Sequence, residues 1–141
     1  MKSEKTISID VNVKHLWEVL TKSEFTKEYM FNCSVESDWK VGSPITWQGN
    51  YQGYEAFQKG EIIKIGQNKL IKYSTFDPNF GLEDKPENYI HVSYLLNEIE
   101  VGTVELTIVN ETFDGNEERM IHINKGWEMV MDKIKEVAEN N

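Results

Sequence analysis

Three histidines, His15, His91 and His122, and one cysteine, Cys33, are the residues best suited to ligate a metal or to move a proton near neutral pH. No two of the histidines stand at H-x-x-x-H spacing, and Cys33 is not close to any of them in sequence, so nothing local nucleates a zinc site. His91 falls in a strand-like segment. On one strand phase it faces an interior pocket, with Ile90 and Val92 turned away; on the other it is a solvated or hydrogen-bonded strand histidine. As a general base it would need a partner, and Tyr73 or Tyr94 is the candidate. Cys33 has no histidine or basic cluster beside it to lower its pKa, so it reads as a passive thiol. No G-x-S-x-G, P-loop or G-x-G-x-x-G occurs, which removes the hydrolase, nucleotide and dinucleotide signatures. Among the 24 acidic residues, Glu98, Glu100 and Glu105 read as a solvated hairpin edge. Glu117 and Glu118 fit the favourable end of a helix dipole. The sequence calls for no cofactor and no metal.

The aromatic residues carry more information. Trp17, Trp39, Trp47 and Trp127 fall on four different elements, and Phe57, Tyr73, Tyr94 and Phe113 are similarly dispersed. Each such side chain buries about 150–250 Å² and dominates a core, while a tyrosine hydroxyl supplies a polar handle. The same residues can pack a core and line an apolar pocket. The candidate ligand-binding set is Trp47, Phe57, Tyr73, Tyr94 and Trp127, with Met131 as an adaptable thioether and Met30 and Phe31 closing one mouth.

These residues must be held by elements that the pattern also shows. Residues 4–10 alternate apolar and polar, as a half-buried strand does. Leu16, Trp17, Val19 and Leu20 form a short helical pattern, capped by Asn12 or Asp10. A second short helix starts at Ser23 and ends in Tyr29-Met30-Phe31. Asn32 to Ser37 reads as a polar connection. Turn signals follow at Val41-Gly42-Ser43-Pro44, Gln48-Gly49-Asn50 and Gly66-Gln67-Asn68-Lys69. Strands are expected at Ile45–Trp47, at Tyr54–Ile65 with a bulge at Gly60, and at Leu70–Phe76. Asp77–Asn88 reads as a surface loop. Tyr89–Leu96 and Thr103–Val109 make a last pair joined near Gly102. Then the period changes: Met120, Ile123, Trp127, Val130, Ile134 and Val137 recur at alternating spacings of three and four. With Met131 and Ala138 this is one broad apolar face on a long helix. Gly126 interrupts it, either to allow close approach to the sheet or to leave room in a cavity. Strands followed by one long helix predict an α+β fold: a curved antiparallel sheet of about six or seven strands around the C-terminal helix, with two short helices after strand one. A concave space between such a sheet and helix commonly becomes a ligand pocket.

The bulk numbers agree with one soluble domain over 1–141. The chain has 141 residues, 39% of them hydrophobic and 11% aromatic, too apolar for a disordered segment. Acidic residues outnumber basic ones 24 to 15, for a net charge of −9. That balance disfavours nucleic acid and anionic membrane surfaces, which reward clustered Lys and Arg. The N-terminal residues lack the apolar run of a signal peptide, and no stretch approaches the roughly 20 apolar residues of a spanning helix. A lone cysteine allows no intrachain disulfide and fits the cytoplasm.

The element order resembles the helix-grip fold of the START and birch-pollen-allergen (Bet v 1-like, SRPBCC) superfamily. Within it, the chain resembles the domain shared with the activator of the heat-shock-protein-90 ATPase. Three stretches carry this: Leu16-Trp17-Glu18-Val19-Leu20-Thr21, Asp38 to Trp47 with its Trp39-Lys40-Val41-Gly42 turn, and Gly126-Trp127 preceded by Gly102 to Thr107. The chain departs where many relatives carry a histidine four residues before the last-helix tryptophan: Ile123 occupies that position and His122 is offset onto another helix face. The resemblance implies the domain, without the chaperone-binding domain that the eukaryotic co-chaperone adds.

Three functions remain. The first is binding of an apolar small molecule or lipid in a cavity between sheet and helix, without catalysis. The second is a chaperone-linked or other protein-interaction module, with the acidic surface as the contact. The third is a cyclase- or hydrolase-like enzyme, for which only the fold speaks. Either a monomer or a homodimer is compatible with the sequence.

Overall fold

The computed structural model describes residues 1–140; Asn141, at the end of the domain expected over 1–141, lies outside the described residues. Strand β1 (Lys2–Ile9) leads into α1 (Val13–Thr21) and α2 (Ser23–Tyr29). Six strands follow: β2 (Ser34–Ser37), β3 (Pro44–Tyr51), β4 (Tyr54–Gly66), β5 (Leu70–Thr75), β6 (Ile90–Glu100) and β7 (Thr103–Glu111). The long helix α3 spans Glu117–Asn140. All seven strands form one antiparallel sheet in the order β1-β7-β6-β5-β4-β3-β2. The sheet curves around α3, giving the α+β helix-grip arrangement expected.

Local chemistry explains the elements. Asn12 caps α1: its Oδ1 accepts the Lys14 N–H at 2.9 Å. On β5 and β6 the inward phase is Ile71, Tyr73 and Thr75 facing Val92, Tyr94 and Leu96, all buried. In α3 the buried residues are Met120, Val130, Met131, Ile134, Val137 and Ala138. Ile123 and Trp127 belong to the same stripe but are only partly buried, because here the sheet bends away from the helix. The helix rests on β1, α1 and α2, and its Lys135 Nζ donates to the Ser8 carbonyl at 2.7 Å.

Several local expectations are corrected. Ser34–Ser37, read as part of a connection, forms β2 and pairs with Ile45–Gln48. Gln48-Gly49-Asn50 is no turn. It lies inside β3, and the chain reverses at Gln52 and Gly53, whose φ values are +51° and +84°. Gly49 has a different task, since a Cβ there would collide with the Asn32 carbonyl. Its absence lets the Met30–Cys33 segment lie against β3. The β4 irregularity falls between Ile62 and Lys64; Gly60 instead permits close approach of the Ser74 backbone. Strand β6 runs past Leu96 to Glu100.

Candidate functional site

Where the sheet parts from the first half of α3, a pocket of about 880 Å³ opens. That is within the roughly 300–1,000 Å³ typical of small-molecule sites. Its floor is the inward face of β3, β5 and β6, with Trp47, Tyr73 and Val92. Its roof is α3, through Ile123, Gly126, Trp127 and Val130. A Cβ added at Gly126 would meet nothing within 4 Å. The glycine therefore leaves room in the pocket rather than permitting helix–sheet contact.

The floor rings Trp47 and Tyr73 meet at a tilt, and Tyr94 behind them joins Tyr73 to Trp127 of the roof through edge-on contacts. Trp47 and Tyr73 lie 6.0 Å apart between centroids, Tyr73 and Tyr94 5.6 Å, and Tyr94 and Trp127 6.0 Å. The hydroxyls of Tyr73 and Tyr94 share a buried 2.8 Å hydrogen bond. Burial pushes both phenols, and that of Tyr29, well above the ordinary tyrosine value. Burial therefore favours the neutral phenol at all three. The Tyr29 hydroxyl and Trp47 Nε1 are buried without a hydrogen-bond partner among the described residues.

One mouth is apolar. Met30, Phe31, Tyr51 and Tyr54 stand around it, with Phe31 edge-on to Tyr51 at 5.6 Å. Phe31, Tyr51, Tyr54 and Phe80 are between 42% and 58% exposed, high for rings on an otherwise polar surface. Phe31 and Asn32 hold left-handed φ values of +48° and +61°, costly for non-glycine residues. The Asn32 side chain secures them by donating to the Asn50 carbonyl at 2.9 Å.

The other lip is polar. Arg119 in the first turn of α3 donates to Asp114 at 2.7 Å and to the Asn88 carbonyl at 3.2 Å, and lies 5.9 Å over the Phe80 ring. It thus fastens the 77–88 loop to the helix. Burial opposes ionisation of Asp114, but hydrogen bonds from the Asn116 N–H and Arg119 outweigh it and hold the carboxyl below its ordinary value.

The candidate residues divide accordingly. Met30, Phe31, Trp47, Tyr73 and Trp127 all border the pocket. Phe57 borders it from the opposite strand phase to Ala56 and Gln58. Tyr94 and Met131 are excluded from its wall: Tyr94 sits behind Tyr73, and Met131 is a core residue 1% exposed. His91 does not face the pocket. Ile90 and Val92 do, and His91 lies on the outer face against Phe113, 4.7 Å away. Burial, then Lys72, lowers its pKa. His122, expected on another helix face, does reach the pocket beside Ile123. The sequence reading missed Tyr51, Tyr54, Phe80 and Leu82, whose signal was aromatic and aliphatic residues inside otherwise polar turn segments. Cys33 also lines the wall; burial raises its thiol pKa, which suits a packing role. Among the described residues no three His, Cys, Asp or Glu side chains converge as metal ligands. Among them, too, no helix is long and apolar enough to cross a membrane.

Comparison with known proteins places this geometry. The family described as Activator of Hsp90 ATPase homolog 1-like protein matches residues 10–139. A solution structure from Cytophaga hutchinsonii is 32% identical, with a TM-score of 0.81, covering 99% of this chain and 94% of that one. The solution structure of the Aha1 dimer from Colwellia psychrerythraea is 18% identical, with a TM-score of 0.75 and coverage of 99% and 96%. A crystal structure from Chromobacterium violaceum is 16% identical, with a TM-score of 0.78 and coverage of 98% and 96%. The latter two likenesses concern the fold alone. No curated protein matches the sequence.

Proposed function

The chain belongs to the Activator of Hsp90 ATPase homolog 1-like family, and from that premise we propose that it is a non-catalytic binding domain for an apolar small molecule or lipid, held between sheet and α3. The observation that carries this is the pocket itself: about 880 Å³, floored by Trp47 and Tyr73 and roofed by Trp127. Core packing normally closes such space, because interiors are as dense as organic crystals. A helix glycine with open space in front of it costs up to about 1 kcal/mol against alanine, and here it enlarges the pocket. The catalytic reading loses its candidate base, because His91 lies on the outer face against Phe113. The interaction-module reading draws on the family and on the acidic balance of the chain, and one structural neighbour is described as a dimer. The single buried thiol fits a cytoplasmic setting.

The test is Gly126→Phe, which places a ring in the open space in front of Gly126. Diphenylhexatriene, dark in water and fluorescent in apolar surroundings, should light up with the wild-type chain. The variant should lose at least about tenfold in affinity while melting no lower than wild type. Equal binding by both proteins, or none by wild type, would contradict the proposal.

A further inference from the structure

The apolar mouth differs from the rest of the pocket wall in how its chain is held. The turn that follows α2 has fixed ends. The Met30 N–H donates to the Thr26 carbonyl at 2.8 Å, and the Thr26 hydroxyl donates to the Cys33 carbonyl at 2.8 Å. Thr26 is fully buried, and the Cys33 N–H closes the turn on the Met30 carbonyl at 2.8 Å. Between these anchors lie Phe31 and Asn32, both exposed and both with left-handed φ. For a side chain as bulky as phenylalanine that backbone is an outlier. Such strain persists only where the surroundings impose it. Here the restraints are few. Asn32 Nδ2 donates to the Asn50 carbonyl at 2.9 Å, and Cys33 Sγ makes a weak 3.8 Å contact with the Phe31 carbonyl. Gly49, lacking a Cβ, leaves the space that the Asn32 carbonyl fills. The opposite lip is fastened more firmly. Arg119 and Asp114 pair at 2.7 Å with side chains only 11% and 15% exposed. Lys59 and the Tyr89 hydroxyl both engage Asp84, at 2.6 and 2.7 Å.

A turn with fixed ends, a strained middle and few restraints has a second state within reach, in which Phe31 and Asn32 return to ordinary negative φ. A φ reversal at Phe31 reorients its Cα–Cβ bond. It thereby carries the ring off the edge of Tyr51, whose centroid is 5.6 Å away when the turn is strained. Both rings border the pocket, so parting them widens its mouth. We propose that the Met30–Cys33 turn is the gate of the pocket: strained, it is shut; relaxed, it admits and releases the apolar ligand while the 77–88 lip stays fastened. This rests on the binding function proposed above and adds the route by which the ligand exchanges.

N-phenyl-1-naphthylamine, uncharged and fluorescent in apolar surroundings, tests this by stopped-flow mixing. The slope and intercept of the observed rate against probe concentration give the on and off rates. A gate that is shut most of the time slows entry and exit by the same factor. Asn32→Ala removes the bond to Asn50 and keeps the strain, so both rates should rise at least about fivefold while Kd stays within about twofold. Phe31→Ala, which removes the moving ring, should also raise both rates. Lys59→Gln unfastens the 77–88 loop from outside the pocket wall and should leave both rates within about twofold of wild type. If Asn32→Ala raises the off rate alone, the turn is an ordinary wall contact and the gate is overturned while the binding function stands. Unchanged rates in both mouth variants overturn it equally, and acceleration by Lys59→Gln in that case puts the route at the polar lip. If the probe does not bind the wild-type chain, the pocket reading itself falls, and the gate with it.

Discussion

At the scale of single residues, the buried tyrosines tie the pocket floor to stability. Tyr29, Tyr73 and Tyr94 have folded-state pKa values raised by burial, whereas in the unfolded chain each titrates near 10. Their protons are therefore held more tightly when folded. Their contribution is fully present below about pH 10 and is lost as the pH rises beyond it, because the unfolded chain then sheds protons that the folded one keeps. Each such group contributes about 1.4 kcal/mol per pH unit, so the three together give a slope of about 4 kcal/mol per unit above pH 10. Urea denaturation at pH 8, 10 and 11 should show this fall, and Tyr73→Phe/Tyr94→Phe should remove about two-thirds of the slope. A stability that is flat to pH 11 would mean that these hydroxyls are not sealed from water. Residue type alone identified Tyr73 and Tyr94 as inward-facing. It did not show that Tyr94 would serve as the hydrogen-bond backing of Tyr73 rather than as wall.

At the scale of elements, two glycines have opposite roles. Gly49 lies where β3 passes the Asn32 carbonyl, and an added methyl must move backbone. Gly49→Ala should therefore cost about 1–3 kcal/mol, as overpacking does, and should disturb the Met30–Phe31 mouth. Gly126 faces open space in a helix, so Gly126→Ala should raise stability by up to about 1 kcal/mol. Thermal melts of the pair check both signs; a stabilising Gly49→Ala or a destabilising Gly126→Ala would show the packing to be misassigned. The long helix was legible from its period, as was the alternating phase of β5 and β6, because burial on one face imposes both patterns. Strand β2 was not, since Ser34-Val35-Glu36-Ser37 offers one buried apolar side chain and borrows its order from pairing with β3. Gly49 looked like a turn because close approach and tight reversal demand the same residue.

At the scale of the whole molecule, the pocket follows from a mismatch between two regular elements. The apolar stripe of α3 is continuous, but it is buried only at Met120 and again from Val130 to Ala138. Between them the partly buried Ile123 and Trp127 border the pocket, and Met30 and Phe31 close in from the end of α2. Nothing in the spacing of the stripe marks where support ends, because curvature is set by the whole sheet. The four tryptophans sample this arrangement: Trp47 and Trp127 border the pocket, while Trp17 and Trp39 pack elsewhere against the core. Each gives its own indole N–H signal in a proton–nitrogen correlation spectrum. The most direct measurement is therefore a titration of the ¹⁵N-labelled protein with 2-methylnaphthalene. The Trp47 and Trp127 signals should shift together and saturably, while those of Trp17 and Trp39 stay in place. Shifts confined to Trp17 and Trp39, or no shift at saturation, would contradict a binding site between sheet and helix.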